Sequence, residues 1–261
     1  MHIFLNKGYL GYIVALIMLA IGSYSDIRTR EIDPKLWIFF GAIASIIYIT
    51  RLGENDLLIY TLLSFPAPLM VFLLAFLRFM GYADFFAFLV LVFLIPKPLN
   101  EDLILPPSII ILLLSDLILL LYLVPMSIAS VKYRSFIAEK CGSRLKTFLV
   151  ILTGYPLSIE KYLASKYMFP LVYPVKESSE TLWICRSTFD IEEEPDHYKD
   201  LFKKLISEDP LLKDQIIIVS WGAPYVFYLF LGLLLYPFVA RYIERLFALF
   251  SKSIFILLSL T

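Results

Sequence analysis

The chain is poor in the groups that soluble enzymes rely on most. Its 261 residues include only two cysteines and two histidines. Cys141 and Cys185 lie far apart and form no Cys-x-x-Cys pair, and His2 and His197 are equally scattered. No zinc ligand set can be read from them, and neither a metal nor a cofactor is expected. Nor is there a disulfide framework, so both cysteines are expected to be free thiols on a reducing side. Charge is scarce as well. Only 18% of residues are charged, against about 25% in a soluble domain. Neither sign dominates, because 23 basic residues cancel 23 acidic ones. A nucleic-acid partner is thereby excluded, since neutralising phosphates needs a basic surplus.

Apolar surface is what the chain has in abundance. Sixty per cent of its residues are hydrophobic and the mean hydropathy is +0.80; an ordinary soluble domain is about 45–50% apolar. Disorder, collagen-like repeats and a coiled coil are ruled out, and a polytopic membrane protein is indicated. A bilayer core of about 30 Å needs about 20 helical residues. Six hydrophobic segments approach this: Gly8–Ser25, Leu36–Thr50, Leu57–Leu77 (interrupted by Pro66 and Pro68), Phe85–Ile95, Leu103–Ser130 and Gln215–Ala240. The fourth is short and stops at Pro96-Lys97-Pro98, so it must sit deep in a bundle or extend past its charged start.

Residues 131–214 differ in composition, with 13 of the 23 basic and 13 of the 23 acidic residues. Turn signals fall at Gly142-Ser143, Lys176–Ser179 and Glu192–Asp196. The short aromatic and β-branched runs Tyr167–Val175 and Thr181–Cys185 predict strands, and Phe136–Leu149 and His197–Ser207 predict helices. The expected fold is an all-α polytopic membrane protein of six transmembrane helices with a small cytoplasmic α+β insert before the last span. Residues 1–130 supply helices one to five, 131–214 the insert, and 215–261 the sixth helix and an amphipathic tail around Arg241, Glu244 and Arg245.

With the N-terminus outside, the inside segments hold 17 Lys and Arg and the outside segments 6; without the long insert the short inside loops still lead by 4 to 2. The positive-inside rule then expects both termini outside. A cleaved secretory signal ending near Ala20–Ser23 is the rival reading, but Asp26, Arg28 and Arg30 follow directly and favour retention.

In that topology two carboxylates meet the same cytoplasmic face: Asp26 at the end of the first span and Asp84 at the start of the fourth. An ionisable residue at membrane depth is a functional candidate. Two carboxylates brought close share one proton, because both cannot ionise side by side. The ionised one can take a proton from water and the protonated one can donate to a carbonyl, which suffices to hydrolyse an amide. The alternative is that both are helix caps and loop charges; the spacing alone does not separate the two.

The wording around them adds to this. The phrase Ser23-x-x-Asp26-x-Arg28-x-Arg30-x-Ile32, followed by Gly81-Tyr82-Ala83-Asp84, resembles the archaeal preflagellin and prepilin peptidases, a branch of the type IV prepilin peptidase family of membrane aspartyl proteases with a Gly-x-Gly-Asp signature. The insert and the segment Ile218–Val226 resemble the archaeal branch too, so the likeness runs nearly the whole length. It implies removal of the basic leader, a class III signal peptide, from archaellin- or pilin-type precursors at the cytoplasmic membrane face, with Asp26 and Asp84 as the catalytic pair. Gly81 and Ala83 would support the motif; Ala83 replaces its second glycine, and a methyl there limits positive φ and close approach. The cysteine loop of many bacterial members is absent. Acid and base are not assigned, since a coupled pair titrates together.

Other residues have two readings each. Arg28 and Arg30, with Arg78, set topology or tune the pair and hold substrate. Asp116 is a mid-span, bundle-facing polar contact set apart from the pair, or has a catalytic or substrate role. Glu31, Asp33 and the run Glu192–Glu194 with Asp196 are solvated charges or attract a basic leader. Pro66, Pro68 and Pro224 are packing kinks or pivots. Competing functions are a proton-coupled transporter using Asp26, Asp84 and Asp116, which would call for repeats that are not seen; a non-catalytic assembly protein; and a presenilin-like protease cutting within the bilayer, which carboxylates at span ends disfavour.

Overall fold

A computed structural model of the chain describes residues 7–99, 103–177, 180–190, 193 and 195–259. In chain order it has helices α1 (Lys7–Thr29), α2 (Pro34–Ile49), α3 (Leu57–Ser64), α4 (Pro66–Phe76), α5 (Tyr82–Leu94), α6 (Pro107–Val131), α7 (Arg134–Cys141) and α8 (Arg144–Thr153). Then follow strand β1 (Gly154–Ser158), α9 (Ile159–Ala164), β2 (Met168–Glu177), β3 (Glu180–Cys185), α10 (Pro195–Glu208), a 3-10 turn (Pro210–Asp214), β4 (Ile216–Trp221) and α11 (Tyr225–Ser259). The chain divides into two compact units, one of Met1–Ile118 with Pro224–Thr261 and one of Leu119–Ala223.

The first unit is a bundle of apolar helices. Four segments are long and apolar enough to cross a membrane: Gly8–Thr29, Leu57–Phe76, Pro107–Val131 and Tyr225–Leu246. The second of these joins α3 and α4 across Phe65. There Pro66 and Pro68 tighten one turn, with the Phe65 N–H bonded to the Leu62 carbonyl at 3.3 Å, without ending the span. The expected count of six spans is not met by length. Helix α2 has 16 residues and α5 has 13, roughly 24 and 20 Å of helix, both short of a bilayer core. Both are fixed by their ends. Pro34 stands at the first position of α2, with Asp33 capping it by accepting the Lys35 N–H at 2.9 Å. Pro96 and Pro98 follow α5.

Helix α5 is the centre of this unit, packed against α1, α2, α4 and α11. Ala87, Phe88, Leu91, Val92 and Leu94 are all buried, as the short fourth segment requires. Outward faces are apolar too: Ile38 and Ile46 on α2, Leu62 on α3 and Leu73 on α4 are exposed. A helix apolar all round belongs in a bundle surrounded by lipid. Close approach depends on two glycines. A Cβ on Gly11 of α1 would sit 2.0 Å from the Leu94 carbonyl oxygen of α5, and one on Gly232 of α11 would sit 2.4 Å from Ser115 Oγ of α6. Small residues at such crossings let backbones touch where burial against lipid offers no drive.

The second unit is a four-stranded antiparallel sheet of order β1-β4-β2-β3. One face packs Ile217 and Val219 against Ile159 and Tyr162 of α9 and Phe202 and Leu205 of α10. The other packs Ile218 against Ile137 of α7 and Val150 of α8. The period-2 alternation of β4 is therefore apolar on both sides. A break in the β2–β4 register between Pro170 and Val172 brings the consecutive Leu171 and Val172 into the same cluster.

Several expectations change here. The helix expected over Phe136–Leu149 is two helices, split at Gly142. That residue has φ +64° and closes α7 with its N–H on the Ala138 carbonyl at 3.1 Å. The sixth helix begins at Tyr225, not Gln215, because Ile216–Trp221 is strand β4. A strand covered on both faces reads in sequence like the start of a span. No separate tail forms; α11 continues through Pro237 to Ser259. Cys141 and Cys185 are not free thiols. The sheet brings the end of α7 beside the end of β3, and the two form a disulfide across 44 residues. Part of the acidic run lies outside the described residues. Glu193 within it is no solvated charge: it accepts Arg186 at 2.6 Å and the Tyr198 hydroxyl at 3.1 Å.

These contacts set a stability contrast between two helix glycines. Gly11→Ala drives a methyl into backbone and is expected to destabilise the detergent-purified protein by about 1–3 kcal/mol, read as a lower thermal midpoint. At Gly41 the nearest atom to an added Cβ is Val90 Cγ2 at 3.8 Å. Gly41→Ala is therefore expected to leave the midpoint unchanged or to raise it, with a gain of up to about 1 kcal/mol in stability. Equal shifts would contradict this packing.

Candidate active site

Three carboxyl groups of the bundle unit, Asp26, Asp84 and Asp116, lie about the start of α11. Pro224 precedes that helix and brings no N–H and no side-chain acceptor, so the first amides of α11 need a partner from elsewhere. Asp26, in the last turn of α1, supplies it. Its Oδ2 accepts the Val226 N–H at 3.0 Å, across 200 residues of sequence. Ser23, one turn earlier on α1, donates to the Val226 carbonyl at 3.1 Å. One residue of α11 is thus held from both sides of its peptide by an i, i+3 pair, and Asp26 does for α11 what an N-cap residue does for its own helix.

Asp84 is the third residue of α5. Its Oδ2 reaches back to accept the Gly81 N–H at 3.0 Å, the carboxylate half of a capping box. Asp26 and Asp84 are 9% and 7% exposed, and Asp26 is the charged group that Asp84 feels. The two carboxyl groups are both buried and lie within electrostatic range of each other.

Asp116, on α6, is not apart from them. The Tyr225 hydroxyl donates to Asp116 Oδ1 at 2.7 Å, and Tyr225 also lies within electrostatic range of Asp84. Tyr225 and Val226 are the first two residues of α11, so adjacent residues of one turn contact two of the three carboxyl groups.

The arginines separate. Arg30 ends α1 in the left-handed region at φ +60°, is half-buried and interacts with Asp26. Arg28 is exposed and donates to the Tyr24 hydroxyl at 2.9 Å. Asp33 is the α2 cap already described, and Glu31 is exposed. Gly81 is extended at φ −80°, and Ala83 lies inside α5 with no positive φ. The methyl of Ala83 therefore costs no backbone strain, and a helical position favours alanine over glycine. Among the described residues no three His, Cys, Asp or Glu side chains gather as a metal-ligand set.

Sequence reasoning did not assign roles to Ser23, Tyr225 or Val226. All three sit inside segments quoted for their likeness to a family, which was the available signal. Their contacts span the whole chain and have no local signature.

Residues 13–124 match the type IV leader peptidase family, and residues 146–239 match the archaeal peptidase A24 C-terminus, type II. The chain belongs to the type IV leader peptidase family. The first match holds Asp26, Asp84 and Asp116, and the second holds Tyr225 and Val226. No curated protein and no solved structure matches it significantly. A peptidase family sets the transporter reading aside, and its leader peptidases act on pilin-like precursors.

Because Asp26 stands in for the missing cap of α11, its replacements are expected to differ. Asn keeps an acceptor oxygen; Ala leaves the Val226 N–H buried and unsatisfied. Asp26→Ala is expected to be less stable than Asp26→Asn by about 1–2 kcal/mol, read as a lower unfolding temperature. Identical melting curves would mean that the bond does not hold α11.

Proposed function

We propose that the protein is a membrane aspartyl endopeptidase that removes the basic leader from archaellin- or pilin-type precursors, with Asp26 and Asp84 as its catalytic pair. The observation that supports this is a pair of buried carboxyl groups within electrostatic range of each other, one on α1 and one on α5, in a chain of the leader peptidase family.

Such a pair shares one proton, because two adjacent carboxylates do not both ionise. The ionised partner takes a proton from a water as its oxygen attacks the scissile carbonyl carbon. The protonated partner donates to the carbonyl oxygen. Collapse of the tetrahedral adduct breaks the C–N bond: the first carboxyl passes the proton taken from water to the leaving nitrogen, and the second recovers a proton from the adduct's hydroxyl as the new carboxyl group forms. Each carboxyl keeps one oxygen tied to a backbone N–H, Val226 for Asp26 and Gly81 for Asp84. Ties of this kind aim the remaining oxygens. Arg30 beside Asp26 acts on the pair electrostatically; Arg28, bonded to Tyr24 at the surface, is placed to meet substrate.

Both aspartates stand at helix ends, Asp26 in the last turn of α1 and Asp84 in the first of α5. This favours cleavage at the membrane interface over cleavage within the bilayer. The short α5 supports the same reading, since a substrate's hydrophobic helix would lie against the bundle with its leader junction at the pair. The short loops, with 4 basic residues on this side against 2 on the other, favour a cytoplasmic face for the pair. The disulfide of the insert does not forbid this, since intracellular proteins of hyperthermophiles also form them.

Asp26→Asn and Asp84→Asn, purified at normal yield, are each expected to cut cleavage of a leader-bearing preflagellin or prepilin by about 10²–10⁴-fold or more. A gel-shift assay of leader removal reads this directly. Wild-type rates in both variants would sink the assignment.

A further inference from the structure

The Asp116–Tyr225 pair is the part of the carboxyl cluster that the proposed chemistry does not use. Asp116 lies in the middle third of α6, and Tyr225 is 9% exposed. A carboxyl group at that depth is costly unless it is partnered, and its partner is the residue that opens α11. The next residue along that turn presents its amide to Asp26. The ring of Tyr225 stands within electrostatic range of Asp84. Gly232, two turns further on, lets α11 press against α6 at Ser115, one residue before Asp116. The first turn of α11 is therefore pinned on two sides, to α6 through the Tyr225 hydroxyl and to α1 through Val226.

We infer that Tyr225, anchored by Asp116, is a positioning residue of the aspartate pair: it fixes the turn whose amide orients Asp26. The inference rests on the reading of Asp26 and Asp84 as catalytic. Without the anchor the first turn of α11 frays, the Val226 amide wanders, and the free oxygen of Asp26 loses its aim at the scissile carbonyl. Displacements of about 1 Å in a reacting group cost up to about 10²-fold in rate. Tyr225 does not need to touch substrate for this, so binding is spared.

The test is steady-state kinetics of leader removal by the full-length protein in detergent or nanodiscs, with rates normalised to folded enzyme. Tyr225→Phe removes only the hydroxyl and is expected to lower kcat about tenfold or more while KM stays within about twofold. Asp116→Leu is expected to match it, and the double variant Tyr225→Phe with Asp116→Leu to be no worse than either alone, since both break one bond. Asp116→Asn retains an acceptor for the hydroxyl and is expected to recover most of kcat. Unchanged kcat in Tyr225→Phe, multiplicative losses in the double variant, or a loss confined to melting temperature would each overturn the inference. Folded wild-type protein that cleaves no leader substrate would overturn the catalytic reading itself, and this inference with it. Active wild type with indifferent Tyr225→Phe would overturn the positioning role alone.

Discussion

A helix that starts after a proline with no side-chain acceptor has amides to satisfy, and a buried one takes its partner from the protein. Asp26 answers that need, and the rest of the site follows from its doing so. The bond to Val226 ties the first helix to the last, gives α11 its missing cap, and orients a carboxyl group that would otherwise rotate freely. Ser23 adds a second bond to the same residue. Gly22, whose Cβ would meet Val226 and Trp37 at 3.2 Å, leaves the room that this approach requires. Structural and chemical demands on Asp26 coincide, so its conservative and non-conservative replacements separate the two.

Helix α5 carries the complementary constraint. It is too short to span alone and packs against α1, α2, α4 and α11. Asp84 begins it by closing on Gly81. The second carboxyl group thus enters the apolar interior on the helix at the bundle's centre, at the level where α1 ends and α11 begins. Ala83 in place of a motif glycine costs the backbone nothing here, because the position is ordinary helix.

Much of this was legible in the sequence, for identifiable reasons. Four long spans announce themselves by composition, and Asp26 and Asp84 stand out because charges are rare in such surroundings. The strands β2 and β3 and the helix α10 of the insert are short, periodic and bounded by turn residues, as local rules demand. Strand β4 was hidden because Ile216–Val219 is buried on both faces and so lacks alternation. The break at Gly142 was visible only as a turn signal inside an apolar run. The disulfide and the Tyr225–Asp116 bond join distant stretches, and no periodicity foretells which distant residues will touch. Asp116 shows the difference well: its depth was evident, but its partner was not.

The span of 200 residues between Asp26 and Val226 also has a meaning in time. Translation places α1 in the membrane first and α11 last, so the carboxyl group of Asp26 waits through the synthesis of nearly everything else before its amide partner exists. The bond that orients Asp26 can form only once α11 is in place. A chain that stops short of α11 holds both aspartates without that turn.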